Sequence, residues 1–216
     1  MNSKTEDILG KLAMTGIFSY MTAKQVISVL GLLAHPFSFD TWLLVFLARL
    51  FGLVFLLLVL YLTLTRLPPK DSAAGLEPRI SAIAGTFITM LLIILPSAQV
   101  PPTAQLVATV LIVVGTLASV IALYWLGRSF SIMASARDLV QHGPYAIVRH
   151  PLYLAEAITV IGVVIANWSL AAVIVVAIQF AFQFRRMYNE EQILRKTFPE
   201  YDAYARRVPM VIPFLK

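Results

Sequence analysis

The amino-acid sequence predicts an all-α fold: a polytopic transmembrane helical bundle of about five spans. Hydrophobic residues make up 59% of the 216 residues, charged residues only 13%, and the mean hydropathy is +0.83. Ordinary soluble domains carry roughly 25% charged residues. Long runs with almost no charge, several near the roughly 20 residues that cross a bilayer, alternate with short segments that collect the basic residues. We therefore expect an integral membrane protein without convincing β-strands.

The first forty residues leave two alternatives open. Residues 12–34 are apolar overall but carry Lys24 and Gln25 at their centre, and a lysine at mid-span costs roughly 2.5–3.5 kcal/mol on insertion scales. The segment is either a poor extra span or an amphipathic helix lying in the membrane interface. We assign residues 1–40 to this N-terminal unit, 41–127 to a three-span core and 128–216 to a catalytic-type region.

Five apolar runs follow the N-terminal unit and account for the predicted spans. They are residues 41–65, 80–100, 104–127, 152–167 and 169–184. The first three are long enough to cross a bilayer alone, whereas the last two hold only about 16 residues each. Because only Asn167, Trp168 and Ser169 lie at their junction, the last two runs predict a tight helical hairpin. Arg49 lies inside the first run, and we expect its side chain to extend to the membrane surface. The alternatives are contact with a substrate headgroup and pairing within the bundle.

The distribution of basic residues orients the bundle. Arg66, Lys70 and Arg79 lie between the first two apolar runs, whereas the connection 99–103 carries no charge. By the positive-inside rule the loop with the basic residues is cytoplasmic, and the third span returns to the cytoplasm at Arg128. The net charge of +6 fits this topology and an attraction to anionic membrane lipids. We expect no nucleic-acid partner, since basic and aromatic residues are not interleaved.

Several classes of chemistry are excluded by composition. The chain has no cysteine, which removes disulfides, thiolate nucleophiles and thiolate metal ligands. Its three histidines, His35, His142 and His150, form no His-x-x-x-His pair, so we expect no protein-bound metal. No glycine-rich phosphate loop follows a strand, which argues against a soluble-type nucleotide-binding domain. His35 and His142 are expected to be loop residues without chemistry.

Residues 143–156, GPYAIVRHPLYLAE, place a turn, a basic pair and a proline directly before an apolar run. Pro144 presets φ for a turn. Pro151 suits the first turn of a helix, because its missing N–H would be unpaired there anyway. His150 is therefore expected at a helix entrance, where backbone N–H groups together with Arg149 favour an anion.

The last apolar run leads into a second charged cluster. Gln179, Gln183, Arg186 and Glu190 are spaced four, three and four residues apart, which places them on one face of a helix that extends into the cytoplasm. An ordinary surface ion pair between Arg186 and Glu190, with arginines anchoring the end of the span, would explain the same residues without a site.

Together these blocks resemble a known family. The sequence LV-x-x-GPY-x-x-VRHPLYL, followed by R-x-x-x-EE-x-x-L and F-P-E-Y-x-x-Y-x-x-R-V-P, is similar to the isoprenylcysteine carboxyl methyltransferase and phospholipid N-methyltransferase group of membrane enzymes. The resemblance covers about residues 125–213. It implies a cytoplasmic pocket for S-adenosylmethionine and a lipid-side tunnel for a hydrophobic or lipidated acceptor. GRSFSI at 127–132 resembles bacterial members of the carboxyl methyltransferase branch, so we expect a prokaryotic inner membrane.

The resemblance also implies roles for individual residues. The implied cofactor-binding residues are Tyr145, His150, Pro151, Tyr153, Leu154, Glu190 and Glu191. Arg149 and Arg186 are candidate catalytic residues, either positioning an ionised carboxylate acceptor or binding the carboxylate of the cofactor. An amine acceptor would instead need a base, for which Glu156, Glu190 or Glu191 would serve. Methyl transfer from a sulfonium needs proximity, alignment and exclusion of water rather than a metal.

The sequence therefore predicts an S-adenosylmethionine-dependent, carboxyl-O-methyltransferase-like membrane enzyme whose active site faces the cytoplasm. One alternative is an NADPH-dependent membrane reductase, because sterol C14 reductases are similar to this group over their C-terminal half. Another is a noncatalytic membrane protein or small transporter, suggested by Arg49 and Glu156 within apolar runs, although the paired repeats of many transporters are missing. For Tyr201 and Tyr204, a lid over the pocket and a membrane-surface anchor are equal alternatives.

Overall fold

The computed structural model describes residues 3–34, 41–95 and 98–213. This part of the chain is all-α apart from two very short strands, as predicted, and it contains seven α-helices. They are α1 Ser3–Leu33, α2 Trp42–Thr65, α3 Leu76–Phe87, α4 Pro102–Leu126, α5 Pro151–Ala166, α6 Leu170–Thr197 and α7 Tyr201–Arg207. His35 and the end of the predicted N-terminal unit lie outside the described residues.

Four of the described helices are long and apolar enough to cross a membrane, and the chain is an integral membrane protein. These candidate spans are Ile8–Leu33, Trp42–Thr65, Pro102–Ser129 and Leu170–Thr197, and α5 is a shorter apolar helix. With 28 residues, α6 is about 42 Å long at 1.5 Å per residue. Because the hydrocarbon core measures only about 30 Å, α6 extends beyond it, as the sequence predicted.

The N-terminal helix α1 pairs antiparallel with α2. The Nζ of Lys11 donates to the carbonyl of Leu64 (2.6 Å) near one end of the pair, and the Nε2 of Gln25 donates to the carbonyl of Arg49 (2.8 Å) near the other. The guanidinium of Arg49 donates to the carbonyl of Ser28 (2.9 Å), which is the alternative of pairing within the bundle. Polar residues of the apolar pair thus find partners across it, which lowers the cost of placing them there.

The run 80–100, predicted to form one α-helical span, consists of two different helices. The α-helix α3 ends at Phe87, and a six-residue 3-10 helix, Ile88–Ile93, follows. Helix α3 and the 3-10 helix nevertheless both contact α6. The Nε of Arg185 in α6 donates to the Oε1 of Glu77 in α3 (2.8 Å), and the N–H of Ala98 donates to the carbonyl of Trp168, just before α6 (2.9 Å). A 3-10 helix rises about 2.0 Å per residue, so fewer residues cover this distance than in an α-helix.

Helices α5 and α6 form the predicted hairpin, and α5 packs most closely against α4. The hydroxyl of Ser169 caps α6 by accepting a hydrogen bond from the N–H of Ala172 (3.1 Å). Between α4 and α5 the backbones meet at two glycines. A Cβ atom on Gly162 would lie 2.7 Å from the carbonyl oxygen of Ala108, and one on Gly115 would lie 2.6 Å from the backbone nitrogen of Thr159. This contact leaves no space for a side chain.

We expect Gly115→Ala to lower the thermal unfolding midpoint in detergent, because the new methyl group meets backbone atoms that cannot rotate away. Overpacking of this kind costs about 1–3 kcal/mol. Gly16→Ala is the matched control, since a Cβ atom at Gly16 of α1 would have no heavy atom within 4 Å and alanine is the better helix former. Equal midpoints for the two variants would contradict the close contact between α4 and α5.

The absence of strands was predicted, and this prediction is wrong at one small place. Strand β1, Asp71–Ser72, pairs antiparallel with β2, Ser135–Ala136. Next to this ribbon, the Nε of Arg128 donates to the carbonyl of Thr65 (2.7 Å), and the N–H of Leu67 donates to the carbonyl of Arg128 (2.9 Å). These bonds join the C-terminal ends of α2 and α4, and they hold the segment 129–137 at that end of the bundle.

Candidate functional site

The predicted turn GPY is a short 3-10 helix, Gly143–Ala146, that directs Tyr145 into the protein. Glycine is required at its start, because Gly143 has φ +60° and a Cβ atom there would lie 2.4 Å from the indole ring of Trp125. Tyr204 of α7 donates from its hydroxyl to the carbonyl of Tyr145 (2.6 Å). Burial raises the pKa of Tyr204 to about 12, so this hydroxyl stays protonated and able to donate at physiological pH.

Pro151 begins α5 as predicted, and His150 precedes it. Just before the helix, the amides of Arg149 and His150 donate to the carbonyls of Pro209 (2.9 Å) and Met210 (3.0 Å). The guanidinium of Arg149 adds hydrogen bonds to the carbonyls of Ala205 and Val208. Arg149 therefore holds residues 205–210, the C-terminal segment, against the entrance of α5.

The carboxylate of Glu191 contacts the side chains of Arg149 and His150 at this entrance. Its Oε1 accepts from the Nε of Arg149 at 2.7 Å and lies 3.3 Å from the Nε2 of His150, while its Oε2 accepts from Arg195 at 3.2 Å. The side chain of His150 is only 5% exposed, so the carboxylate fixes the position of a buried ring. These contacts give Glu191 the geometry of a supporting residue for Arg149 and His150.

A second cluster joins Tyr153, Arg186 and Glu190. The Tyr153 hydroxyl and the Arg186 Nε both donate to the Oε1 of Glu190, the latter at 3.2 Å. The Arg186 guanidinium also lies over the ring of Tyr153, 5.1 Å from its centroid, and donates to the Thr86 hydroxyl and the Ser131 carbonyl. The alternative of a simple surface ion pair is wrong, because the side chain of Arg186 is only 7% exposed and connects three parts of the bundle.

A cavity, the polar cavity, lies between these clusters. Of the predicted site residues it is lined by Tyr145, Arg149, His150, Tyr153, Arg186 and Glu190. Pro151, Leu154 and Glu191 do not line it. Ser131, Ser135 and Tyr201 also line the cavity, and their hydroxyls are buried and have no hydrogen-bond partner in the described part of the chain. Such groups favour a polar ligand, because an unpaired buried hydroxyl is destabilising.

A second, larger cavity, the bundle cavity, lies among α1 to α6. Most of its lining is apolar, including Phe18, Leu56 and Met90. Glu156 and Gln179 supply polar groups: the Oε2 of Glu156 accepts from Gln183 (3.0 Å), whereas the Oε1 of Gln179 is buried without a partner in the described residues. Glu156 thus lies in this cavity and not in the polar one.

The two cavities share three lining residues, Phe130, Leu152 and Arg186. Sequence reasoning missed most of the segment 129–137, which separates them, and it left Tyr201 open between a lid and an anchor. The available signal was the run of small hydroxyl residues, Ser129, Ser131 and Ser135, directly after a span. In the ranges that the structure describes, no group of three or more His, Asp or Glu side chains is arranged to hold a metal ion.

The chain is similar in sequence to two bacterial proteins. The chain is 35% identical over 95 residues to the nickel-cobalt-cadmium resistance protein NccN of Alcaligenes xylosoxydans xylosoxydans, covering 44% of this chain and 42% of the relative. It is 37% identical over 95 residues to the cobalt-zinc-cadmium resistance protein CzcN of Cupriavidus metallidurans, covering 44% and 41%. The alignment therefore spans about two fifths of the length of these bacterial relatives.

A plant protein extends the comparison. Protein-S-isoprenylcysteine O-methyltransferase B of Arabidopsis thaliana is 32% identical over 113 residues, which cover 49% of this chain and 57% of the relative. Residues 103–201 match the model of the phospholipid methyltransferase family. This range runs from α4 to the beginning of α7 and includes both clusters of the candidate site. Residues 103–201 of this membrane protein are therefore similar to the phospholipid methyltransferase family.

Proposed function

We propose that this protein is an S-adenosylmethionine-dependent methyltransferase that modifies a hydrophobic or amphipathic acceptor. The observation that carries the proposal is the contact between a polar cavity at the arginine-rich end of the bundle and an apolar cavity inside it, at Phe130, Leu152 and Arg186. A reaction between a water-soluble methyl donor and a membrane-dissolved acceptor requires such an arrangement. The match of residues 103–201 to the phospholipid methyltransferase family supports the reaction type, since that family includes S-adenosylmethionine-dependent methyltransferases.

The residues of the polar cavity fit the cofactor. S-adenosylmethionine, when bound, supplies a methyl group on a positively charged sulfonium. Glu190 presents a carboxylate able to accept hydrogen bonds from an ammonium or ribose hydroxyls. The hydroxyls of Ser131, Ser135 and Tyr201 can bond polar groups of the same ligand, and their present lack of partners in the described residues favours such contacts. His150, fixed by Glu191, and Tyr145 complete the buried wall.

The bundle cavity fits an acceptor with an apolar body and a small polar end. Glu156 and Gln179 place hydrogen-bond acceptors in it, while the guanidinium of Arg186 is already bonded to Glu190, Thr86 and Ser131. An acceptor carrying N–H, O–H or S–H groups therefore fits these side chains better than the ionised carboxylate implied by the resemblance. Phe130 and Leu152 exclude water where the cavities meet, which methyl transfer requires.

The side of the membrane follows from the charges at the site. The arginines of the polar cavity and of the adjoining loops lie at one end of the bundle, and the positive-inside rule assigns that end to the cytoplasm. Because two of the relatives are bacterial, we propose an inner-membrane location with the polar cavity open to the cytoplasmic pool of S-adenosylmethionine.

Titration of the detergent-purified protein with S-adenosylhomocysteine tests the proposal without knowledge of the acceptor. The wild type is expected to bind, and Glu190→Ala to bind at least about thirtyfold more weakly, because removal of one partner from a buried hydrogen-bonded charge pair costs roughly 2–5 kcal/mol. Glu200→Ala is the matched control, since Glu200 is exposed and does not line the cavity.

The folded state of each variant is checked by its thermal unfolding midpoint. No binding of S-adenosylhomocysteine by a folded wild type would contradict the proposal, as would stabilisation by NADPH in its place. Equal loss of binding in Glu190→Ala and Glu200→Ala would contradict the placement of the cofactor in the polar cavity.

A further inference from the structure

Gln179 of α6 has one side-chain atom without a hydrogen bond. The residue lines the bundle cavity and is only 3% exposed. Its Nε2 donates to the carbonyl of Gly85 in α3 (3.3 Å), so the Oε1 is the atom left without a partner among the described residues. A buried acceptor that receives no hydrogen bond is destabilising. The Oε1 of Gln179 therefore favours a ligand that supplies an N–H or O–H group.

Several other polar side chains of the bundle cavity already have partners. The hydroxyls of Ser119 and Thr159 donate to carbonyls of their own helices, and the amide of Gln25 donates to the carbonyl of Arg49. Of the described side chains that line this cavity, only Gln179 has a fully buried polar atom that lacks a partner. The requirement for an additional donor is thus confined to one place in the cavity.

The position of Gln179 relative to Glu156 sets a distance. Gln183 donates to the Oε2 of Glu156 (3.0 Å), and Gln179 precedes Gln183 by one turn, which is about 6 Å along α6. Arg186 lies on the other side of Gln183, so Gln179 is farther from the arginine-rich end of the bundle. A molecule that extends from Glu156 along α6 reaches Gln179 after about 6 Å, or roughly four to five covalent bonds.

We propose that Gln179 selects acceptors that carry a second hydrogen-bond donor, an amide N–H or a hydroxyl, about 6 Å from the group that is methylated. This inference rests on the proposed function, which places the reacting group at Glu156. The Oε1 of Gln179 accepts from the second donor, while its Nε2 keeps the bond to Gly85. A plain acyl or isoprenoid chain leaves the Oε1 unpaired, so the cavity discriminates against it.

The test compares two probes that differ in one N–H group, N-(3-hydroxypropyl)dodecanamide and its ester analogue, 3-hydroxypropyl dodecanoate. Each is titrated by calorimetry into the detergent-purified protein. The wild type is expected to bind the amide about tenfold more tightly than the ester, because the ester leaves the Oε1 of Gln179 unpaired. Gln179→Met keeps the length of the side chain but offers only a weak acceptor, and it is expected to lose this preference. The ratio of the two affinities is the readout, since detergent takes up each probe equally in all variants.

Gln105→Met is the matched control, because Gln105 is an exposed residue of α4 that does not line the bundle cavity. It should keep the tenfold preference, and thermal unfolding checks the fold of each variant. Equal binding of both probes by the wild type, no binding of the amide, or an unchanged preference in Gln179→Met would overturn the role of Gln179. A separate titration with S-adenosylhomocysteine distinguishes the two proposals: binding without a preference for the amide overturns only the role of Gln179. A preference that depends on Gln179, without binding of S-adenosylhomocysteine, supports the site and overturns only the proposed methyl transfer.

Discussion

Arg186→Ala is expected to abolish binding of S-adenosylhomocysteine and to lower the thermal unfolding midpoint of the protein. The guanidinium of Arg186 holds Glu190, Thr86 and the carbonyl of Ser131 together where the two cavities meet. Removal of one partner from a buried ion pair costs about 3–5 kcal/mol, and the lower end applies here because the side chain of Glu190 keeps 21% of its surface exposed. Calorimetry and thermal unfolding measure the two effects.

A double variant separates the folding effect from the binding effect. In Arg186→Met with Glu190→Met, no unpaired charge remains, and exchange of a buried pair for apolar side chains is often neutral for stability. We expect the double variant to recover about half or more of the stability lost in Arg186→Ala and still not to bind S-adenosylhomocysteine. Normal binding by either variant would contradict the role of the Arg186–Glu190 pair.

Glu156→Gln is expected to remove methyl transfer while leaving the binding of S-adenosylhomocysteine within about twofold of the wild type. Glu156 is the carboxylate among the described residues that line the bundle cavity, and it has no contact with the polar cavity. If it takes the proton from an N–H, O–H or S–H acceptor, its loss lowers the rate by about 100-fold or more. The assay uses labelled S-adenosylmethionine with a total membrane lipid extract as the source of acceptor.

Glutamine preserves the shape of Glu156 and its position beside Gln183, so a change in fold is not the expected cause of lost activity. Glu200→Gln, which changes an exposed carboxylate in the same way, should retain the full rate. Unchanged transfer by Glu156→Gln would show that the acceptor needs no base. An ionised carboxylate would then be the favoured acceptor. Reduced affinity for S-adenosylhomocysteine would contradict the separation of the two cavities.

Local hydropathy was enough to predict α2, α4 and the α5–α6 hairpin, because each is a run of apolar residues with polar residues at its ends. It was not enough for the run 80–100, where the same composition forms an α-helix and then a 3-10 helix. Hydropathy reports solubility in lipid and not the hydrogen-bond pattern along the backbone. The pairing of α1 with α2 was equally hidden, since Gln25 and Arg49 find their partners across 24 residues of chain.

The candidate site shows the same limit. Helical spacing placed Arg186 and Glu190 on one face, and the GPY and RHP motifs located the turn and the entrance of α5. Spacing does not show which residues lie behind others: Glu191 was predicted to bind the cofactor, whereas the structure places it outside the lining of the polar cavity, bonded to Arg149 and Arg195. The positions of Tyr201 and of the segment 129–137 in the lining of the polar cavity depend on contacts between distant parts of the chain. A local sequence pattern does not predict such contacts.

The hydrogen bonds between the entrance of α5 and the C-terminal segment also have a consequence for biosynthesis. Arg149 and His150 pair with Pro209 and Met210, about sixty residues later in the chain, and the four candidate spans all precede those partners. Residues 205–210 can therefore dock on the entrance of α5 only after every candidate span has been synthesised.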